Sequence, residues 1–196
     1  MKSVLIYTTG LLLCLLLLGC MPMAGEEEIY QDVIRLHVLA NSDREEDQQL
    51  KLTVRDAILA SYSEQLAGGT TAEAEEQLLS LLPQIEKTAE KVLADHGRPT
   101  SVRVTYTQEQ YPERVYGELH FPAGTYRSLR VLIGEGAGQN WWCVLFPPLC
   151  VGAATDDLPI TSPGQAPDGV NDNAWRLVSQ SGEYQIRFRI LEWLMG

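Results

Sequence analysis

The stretch VIRLHVLANSDREEDQQLKLTVRDAIL at residues 33–59 decides the fold class, because its periodicity changes from that of a strand to that of a helix. Residues 33–40 alternate loosely and are rich in β-branched residues and leucine, which predicts a strand. The Asn-Ser-Asp run at 41–43 ends that strand. Ser42 and Glu45 then form the pattern of a capping box, and acidic residues in the first turn suit a helix N-terminus. A strand followed at once by a long helix predicts a fold that mixes both elements.

Two long amphipathic helices are predicted in the first half of the chain. The first runs to about Leu66, and a second start follows at Thr70, with Glu73 three residues on. Pro83 lies inside the second apolar stripe and predicts a kink or a split, because proline lacks a backbone donor. Gly97 closes the segment. The side chains expected to face the core are Leu50, Val54, Ala57, Ile58 and Tyr62, then Leu78, Leu79, Leu82, Ile85, Ala89, Val92 and Leu93.

The second half of the chain has the alternating pattern of β-strands. Alternation predicts strands at 102–106 and 142–146, and the turn signal at 122–124 predicts that 115–133 is one hairpin. Residues 183–195 fit a strand or a helix equally well. The predicted fold class is therefore α+β: a single domain with a mixed or antiparallel sheet and two or three helices, after an N-terminal segment.

The N-terminus has the pattern of an export signal. Lys2 precedes an almost wholly apolar run at 4–18, which is short for a bilayer span and typical of a secretory signal. Gly19 and Cys20 fit a lipoprotein signal, whereas Leu18 fits that pattern less well. A lipidated Cys20 and an ordinary cleaved signal or retained anchor therefore both remain open.

The chain divides into a signal at 1–20, a polar tether at 21–29 and a folded domain at 30–196. Within the domain, residues 153–174 are dominated by Asp, Pro, Gly, Ala and Asn and show no usable periodicity. This composition predicts a flexible surface loop.

The charge balance limits the classes of partner. The chain carries 15 basic and 26 acidic residues, a net charge of −11. An acidic chain repels phosphate backbones and gains nothing from anionic lipid headgroups. We therefore predict no nucleic-acid partner and no membrane contact except through the N-terminal signal or its lipid.

Export would leave Cys143 and Cys150 as a pair outside the cytosol, which predicts a disulfide. A thiol enzyme that uses Cys143 with His120 or His37 is the competing interpretation. The apolar neighbours of Cys143 argue against it, because such surroundings raise a thiol pKa and make the sulfur inert. The histidines, with His96 at a predicted helix end, lie in three different elements and are read as structural or surface residues.

The sequence contains no HExxH, GxSxG, P-loop or aspartic-protease motif. We therefore predict no catalytic residue, no metal ligand and no cofactor. The glycine run at 134–138 follows a predicted strand, but it lacks the spacing and the following helix of a phosphate loop. A flexible loop that presents backbone to a partner is the better interpretation.

The helix that follows the first strand carries an unusual density of polar side chains. Asn41 and Asp43 precede it, and Asp47, Lys51 and Arg55 recur every four residues, so that they share one helix face. A capped, solvated helix with ion pairs explains this segment as well as a polar recognition face does.

A second dense segment is the run Gln139, Asn140, Trp141 and Trp142. Adjacent tryptophans in a strand point to opposite faces of the sheet. Both faces must therefore be covered, or one ring is available to a partner, since exposed aromatic side chains are frequent binding anchors. Core filling beside a structural disulfide explains either ring equally well.

These two segments carry a resemblance to a known family. The stretches RLHVLANSDREEDQQLKLTVRDAIL at 35–59 and FPAGTYRSLRVLIGEGAGQNWWCVLFPPLC at 121–150 closely resemble stage II sporulation protein R of endospore-forming Firmicutes. The resemblance covers about residues 30–150 and is weaker in ILEWL at 190–194. It implies an intercellular signal that is exported from the forespore into the intermembrane space. There it would activate a membrane-bound aspartic protease, which processes the mother-cell sigma-E precursor, and it would not itself be an enzyme.

On this resemblance the expected partner is the extracytoplasmic side of that protease. Residues predicted to bind it are Asn41, Asp43, Asp47, Lys51, Arg55, Gln139, Asn140, Trp141 and Trp142. Two other functions compete with this one. The first is a cell-envelope hydrolase with a Cys/His or carboxylate site, and the second is a structural envelope lipoprotein with no signalling role.

Overall fold

The computed structural model describes residues 2–19, 26–116, 119–150, 166 and 170–180. Its helices are α1 (Lys2–Gly19), α2 (Glu26–Asp32), α3 (Glu45–Leu66), α4 (Thr71–Asp95) and α5 (Asp172–Gln180). Its strands are β1 (Ile34–Leu39), β2 (Val102–Tyr111), β3 (Arg114–Tyr116), β4 (Leu119–Phe121), β5 (Gly124–Ile133) and β6 (Asn140–Phe146). The α+β class is confirmed, and the short helices α2 and α5 add to the two long ones that the sequence predicts.

The main sheet has the strand order β2-β5-β1-β6 and is mixed. β1 pairs in parallel with β5 and antiparallel with β6, whereas β2 and β5 are antiparallel. Every residue of β1 is buried. A central strand covered on both faces loses the clean alternation of a half-exposed one, which explains the loose pattern of VIRLHVLA.

One face of the sheet is covered by α3 and α4, and the contact is almost wholly aliphatic. The side chains of Ile58, Leu78 and Ile85 are fully buried against strand residues such as Leu36 and Val131. At roughly 25 cal/mol per Å² of apolar area, such burial is the dominant stabilising term. This helix layer forms the larger of the two hydrophobic clusters.

The opposite face is covered by α2, α5 and the two-stranded sheet β3–β4. Its buried side chains are largely aromatic and include Tyr111, Phe121, Tyr126 and Trp175. The two tryptophans of β6 serve different faces, because Trp141 packs with the helix layer and Trp142 packs with the aromatic layer.

The prediction that 115–133 forms one hairpin is wrong. β4 pairs antiparallel with β3, while β5 pairs with β2 and β1 in the main sheet. The alternation is correct within each strand, but pairing depends on which strand supplies the better buried neighbour. β2 offers β5 a ladder from Val102 to Tyr111, which is longer than any within 115–133.

Two predictions about the long helices, one at the start of α3 and one at Pro83 of α4, differ from the structure. α3 begins after Arg44, which makes no side-chain cap, so the capping box of Ser42 and Glu45 does not form. The box predicted separately at Thr70 and Glu73 does form, and each side chain binds the other residue's backbone. α4 continues through Pro83 without a break, and Pro83 lies on the exposed side, where water can satisfy the freed carbonyl.

Most of the predicted core positions of α3 and α4 are buried, Leu50, Ala57, Leu82 and Val92 are half-buried, and one is exposed. Leu79 is 48 % exposed, whereas Leu81, which was not predicted, is buried. Both lie in a run of leucines, where periodicity alone does not fix which residues turn inward.

The N-terminal segment is helical at Lys2–Gly19. Within the described part of the chain, no helix combines the length and apolarity that crossing a bilayer requires. Cys20 and residues 21–25 lie outside the described residues. The predicted tether ends before residue 29, because α2 begins at Glu26 and Ile29 is fully buried.

The predicted loop at 153–174 lies mostly outside the described residues, as does the ambiguous segment at 183–195. The loop ends earlier than predicted, since Val170 is buried in the aromatic layer and α5 begins at Asp172.

Candidate functional site

The two segments that the sequence singles out lie against each other. The loop after β5 lies on the loop before α3, where Ala137 N and Gly138 N donate to the carbonyl oxygens of Asn41 (3.2 Å) and Ala40 (3.0 Å). The Asn41 side chain accepts from Glu135 N at 3.1 Å. We call this region the junction: residues 40–55 of the first segment and residues 134–142 of the second.

The glycines of 134–138 allow this close approach. Gly134 has φ +56°, and a Cβ on it would collide with the Asn41 side chain. A Cβ on Gly138 would collide with the backbone carbonyl of Ser42. The glycine run therefore serves loop-to-loop packing within the chain.

Asp47 is the polar centre of the first segment. Its Oδ2 accepts from Ser42 Oγ at 2.5 Å and from Asn41 Nδ2 at 2.9 Å, and the residue is only 8 % exposed. These hydrogen bonds favour the charged form, so the pKa of the Asp47 carboxyl lies below its ordinary value. The carboxylate thus fixes the loop that the second segment packs on.

Lys51 and Arg55 reach from α3 into the second segment. Lys51 Nζ donates to Gln48 Oε1 at 2.6 Å and to the carbonyl of Gln139 at 3.0 Å. Burial lowers the pKa of the Lys51 ammonium. The Arg55 guanidinium lies 4.2 Å from the centre of the Trp141 ring, a cation–π contact.

The structure separates the predicted partner-binding residues into three groups by their exposure. Asp47, Lys51 and Arg55 are between 4 % and 8 % exposed, and their charges are used inside the protein. Asn41, Trp141 and Trp142 are half-buried, whereas Asp43, Gln139 and Asn140 are exposed. The exposed group remains a prediction as a contact surface, and the buried group positions it.

The junction also borders a disulfide. Cys143 and Cys150 are bonded, with an S–S distance of 1.98 Å, and both are buried in the helix-side cluster. Cys143 lies on β6 directly after the tryptophans, so the bond joins the end of that strand to the segment that follows it. Cys143 is therefore a structural half-cystine here, and it is not a free thiol beside His37 or His120.

A hydrogen-bonded network lies on the opposite face of the sheet. His37 Nδ1 lies 3.2 Å from both carboxylate oxygens of Glu109, and His37 Nε2 lies 2.9 Å from Asn140 Oδ1. Ser128 Oγ donates to Glu109 at 2.6 Å and lies 2.7 Å from the Tyr111 hydroxyl. Asn140 thus links this network to the junction.

Burial works to raise the Glu109 pKa, but the hydrogen bonds from His37 and Ser128 outweigh it, and the pKa lies below its ordinary value. Because Ser128 binds Glu109 and not His37, the group lacks the serine–histidine contact of a nucleophilic triad. The network links β1, β2, β5 and β6 through side-chain hydrogen bonds.

Arg35 is the most unusual residue of this face. It is fully buried on the central strand, and its guanidinium carbon lies 4.5 Å from the centre of the Tyr111 ring. Three more rings surround it at 5.0–5.7 Å, those of Tyr126, Phe121 and Tyr116. We call Arg35 with these four rings the arginine cage.

The remaining histidines lie away from these groups. His96 caps the end of α4, and His120 contacts the carboxylate of Glu113 on the exterior of the β3–β4 sheet. Among the described residues, no three His, Cys, Asp or Glu side chains are grouped so that they could hold a metal ion.

Sequence reasoning missed the arginine cage and most of the His37 network. The available signal was the pair of ionisable residues, Arg35 and His37, inside an otherwise apolar strand. Their partners, such as Glu109 and Ser128, come from strands that alternation alone does not place beside β1. Sequence spacing therefore gave no reason to group them.

Comparison with known proteins identifies the family. Residues 30–156 match the family model described as stage II sporulation protein R. Stage II sporulation protein R of Bacillus subtilis (strain 168) is 36 % identical over 148 residues, which cover 69 % of this chain and 66 % of that protein. The chain therefore spans slightly less than two thirds of its relative's length. No solved structure matches the chain. The chain belongs to the stage II sporulation protein R family.

Proposed function

We propose that this member of the stage II sporulation protein R family is an exported signal that activates a membrane-bound aspartic protease during endospore formation. Family membership gives the chain a role in sporulation. The proposal goes further: the folded domain acts from the intermembrane space, and the activated protease then cleaves the sigma-E precursor.

The observation that supports a docking role is the junction. Two segments that are distant in the chain are held together by buried charges, and the exposed Asp43, Gln139 and Asn140 lie at the surface of that contact. A surface held rigid in the free protein loses little conformational entropy on binding, which favours affinity. The junction is therefore the proposed contact surface.

Activation by docking requires a difference in affinity. A ligand shifts a two-state equilibrium only when it binds one state more tightly, and moving it from 1:99 to 99:1 needs about 5.5 kcal/mol. A rigid contact surface supplies such a difference if only the active arrangement of the protease fits it. In this proposal the chain makes and breaks no bond itself.

The hydrolase alternative receives less support. Its thiol version needs Cys143 as a nucleophile, and that sulfur is bonded to Cys150. Its carboxylate version has Glu109 as the most buried network carboxylate, but Glu109 is occupied by His37, Ser128 and Arg130. The Glu109 side chain is also only 16 % exposed, so little of it is open to a substrate.

The test is coexpression of the full chain, the protease and the sigma precursor in a host that does not sporulate. We expect processed precursor only when all three are present, measured by immunoblot. If the precursor stays intact with the wild-type chain present and exported, or is cleaved equally without it, activation by this chain is wrong.

The contact surface is tested in the same assay with Gln139→Arg. The internal contacts of Gln139 are made by its backbone N and O, so the substitution changes the exposed side chain and leaves them in place. Gln84→Arg on the exposed side of α4 is the matched control, since it makes the same change elsewhere. We expect less processed precursor with Gln139→Arg alone; equal processing by both variants would remove the junction as the contact surface.

A further inference from the structure

The two edges of the main sheet differ in how they are closed. The strand order places β2 at one edge and β6 at the other. On β6 the outward carbonyl of Trp142 accepts from the Tyr116 hydroxyl at 3.1 Å, and that of Val144 accepts from Leu149 N at 3.3 Å. Native proteins usually close sheet edges in such ways, because unpaired backbone groups pair readily with another chain. The β6 edge is therefore protected.

The backbone groups of β2 show which of its residues face the open edge. Ser101, just before β2, accepts from Gly134 N at 2.9 Å, which extends the ladder between β2 and β5. Val104 N points the other way and donates to Glu86 Oε2 of α4 at 3.0 Å. Successive residues of a paired strand direct their N–H and C=O groups to alternate sides, and this ladder runs without a register shift. The even-numbered residues of β2 therefore face away from the sheet.

Three of these residues, Tyr106, Gln108 and Gln110, leave their outward backbone groups unpaired. Within the described part of the chain, neither a strand nor a side chain bonds to those N–H and C=O groups. The strand contains no proline, lysine or bulge, the usual devices that keep an edge from pairing. The open stretch is bounded at Val104, whose N–H is already taken, and at Pro112, which has no N–H.

The helix flank above this edge carries an exposed apolar side chain. Glu75 of α4 pairs with Arg127 of β5 at 2.9 Å, and Glu86 reaches the backbone of β2. Leu79 lies between these two glutamates at helical spacing, so it shares the same flank of α4. Leu79 is 48 % exposed. Unpaired backbone and uncovered apolar surface thus lie side by side.

We propose that β2 pairs with β2 of a second copy of this chain, antiparallel and centred on Gln108. In this register Gln108 faces Gln108 of the second copy, and Tyr106 faces Gln110, so that every outward N–H and C=O of the open stretch gains a partner. Val104 faces Pro112 of the second copy, and neither has a free N–H to lose. The open stretch therefore fits its own copy at both ends, which a strand from an unrelated protein has no reason to do.

The side chains of this register are also compatible. Thr107 faces Glu109 of the second copy, and glutamine faces glutamine at the centre, so no like charges lie directly opposite each other. The pairing is a closed two-fold contact, in which both copies use the same surface. It brings the two α4 helices side by side, with the flanks that carry Leu79 facing each other. The second copy thus covers both features that the single chain leaves open.

The net charge opposes this association and sets its strength. Each chain carries −11, and much of the acid lies on α3 and α4. β2 itself carries one arginine and one glutamate, so the seam is neutral. A contact built on one strand pair belongs to the small, transient class of interfaces, below about 1,200 Å². We therefore expect a weak dimer that strengthens from low to physiological ionic strength, since salt screens the repulsion. The dimer is independent of the proposed function, because it needs no other protein.

Cysteine cross-linking tests the pairing and its register. The background is the full chain in neutral detergent with Cys14→Ser and Cys20→Ser, since the remaining cysteines are bonded to each other. Gln108→Cys places its thiol beside the two-fold axis, where the Cα atoms of a hydrogen-bonded pair are about 5.5 Å apart, within disulfide reach. Gln110→Cys is the matched control, because the two copies of residue 110 lie about 13 Å apart along the seam.

Under mild oxidation we expect disulfide-linked dimer from Gln108→Cys and monomer from Gln110→Cys, measured on non-reducing gels. Equal yields from the two variants would mean that the chains meet at random. No dimer from Gln108→Cys would leave the edge to an extended segment of another protein. Either result overturns self-pairing.

Copurification of two differently tagged full chains tests the same contact without cysteine. Gln108→Lys places two ammonium groups opposite each other, so the Kd of the dimer should rise about fivefold while the Tm of the chain stays unchanged. Gln84→Lys on the exposed side of α4 is the matched control. We expect recovery of the second tag to fall with Gln108→Lys alone, and to rise with salt for the wild-type chain. No recovery with the wild-type chain, equal recovery for both variants, or recovery that falls with salt overturns main-chain pairing of β2.

Discussion

The two faces of the sheet differ in what they bury. The helix layer buries aliphatic side chains almost exclusively, and its buried polar groups other than Thr71 lie at the junction. The opposite face buries aromatic rings together with Arg35, Ser128 and most of His37. Apolar burial stabilises by its area alone, whereas polar burial must satisfy each hydrogen bond and often costs free energy. The comparison indicates that the helix layer holds the fold and that the aromatic layer carries residues that folding alone does not favour.

The charge follows the same division. Both long helices are rich in acidic residues on their outer sides. Arg35, Arg114 and Arg130 lie on the other face, where Arg130 pairs with Glu109. An acidic partner segment would therefore be repelled by the helix layer and tolerated by the aromatic one. This is the face on which the arginine cage lies.

The strongest test of this difference is to create a cavity in each layer and compare the losses in free energy of unfolding. Leu78→Ala in the helix layer should lower the free energy of unfolding by about 3–5 kcal/mol, since Leu78 is fully buried in the larger cluster. Ile29→Ala in the aromatic layer should cost closer to 2 kcal/mol, because α2 is short and can collapse onto the space. Urea unfolding measures both, and a larger loss for Ile29→Ala would reverse the assignment of the layers.

Removing the disulfide tests how much this bond, which lies on the helix side of β6, contributes to stability. Replacing Cys143 and Cys150 with alanine should lower stability by about 2–3 kcal/mol, as the loop-entropy rule gives for a short loop. Guanidinium unfolding of the double variant and of the wild-type chain, with and without reductant, measures the effect. Reductant should weaken the wild-type chain and leave the variant unchanged; equal stability of all four samples would contradict a stabilising bond.

Lys51→Met tests whether the junction depends on buried polar contacts. The substitution leaves the carbonyl of Gln139 without its donor, so we expect a loss of about 1–2 kcal/mol. Lys87→Met on exposed α4 is the matched control and should change stability by less than about 0.5 kcal/mol. Similar effects from both lysines in chemical denaturation would show that the junction contact is not structural.

Tyr111→Phe tests how much one buried hydrogen bond of the aromatic face contributes to stability. It removes the hydroxyl that lies 2.7 Å from Ser128 Oγ and keeps the ring in the cage. We expect a loss of about 1 kcal/mol, the usual net value of one buried hydrogen bond. Thermal unfolding measures it, and an unchanged Tm would indicate that Ser128 is fully satisfied by Glu109.

The smallest expected effect is the pH dependence due to Asp47. A carboxyl whose pKa is lowered on folding contributes stability that is complete above its unfolded pKa, near 4, and is lost as the pH falls through the lower folded value. Stability of the wild-type chain should therefore fall more steeply between neutral pH and about pH 3 than that of Asp47→Asn. Parallel slopes in acid titrations followed by circular dichroism would show that Asp47 contributes nothing to acid sensitivity.

Much of the fold was predictable wherever local chemistry decides it. The strand at 33–40, the helix ending at Leu66 and the capping box at Thr70 depend on neighbours within a few residues, and the structure confirms them. The hairpin at 115–133 was wrong because strand pairing depends on residues far apart in the chain. The candidate site was predicted as two segments, and their mutual contact was not.

By itself, the sequence determined the α+β class, the two long helices and the family, because periodicity, caps and long motifs are local properties of the chain. Only the tertiary structure decided that Asp47, Lys51 and Arg55 face inward and that Arg35 is enclosed by four rings. Whether a charged side chain is solvated or buried depends on which layers cover its strand or helix. That is fixed by packing between distant elements, which no short stretch of sequence encodes.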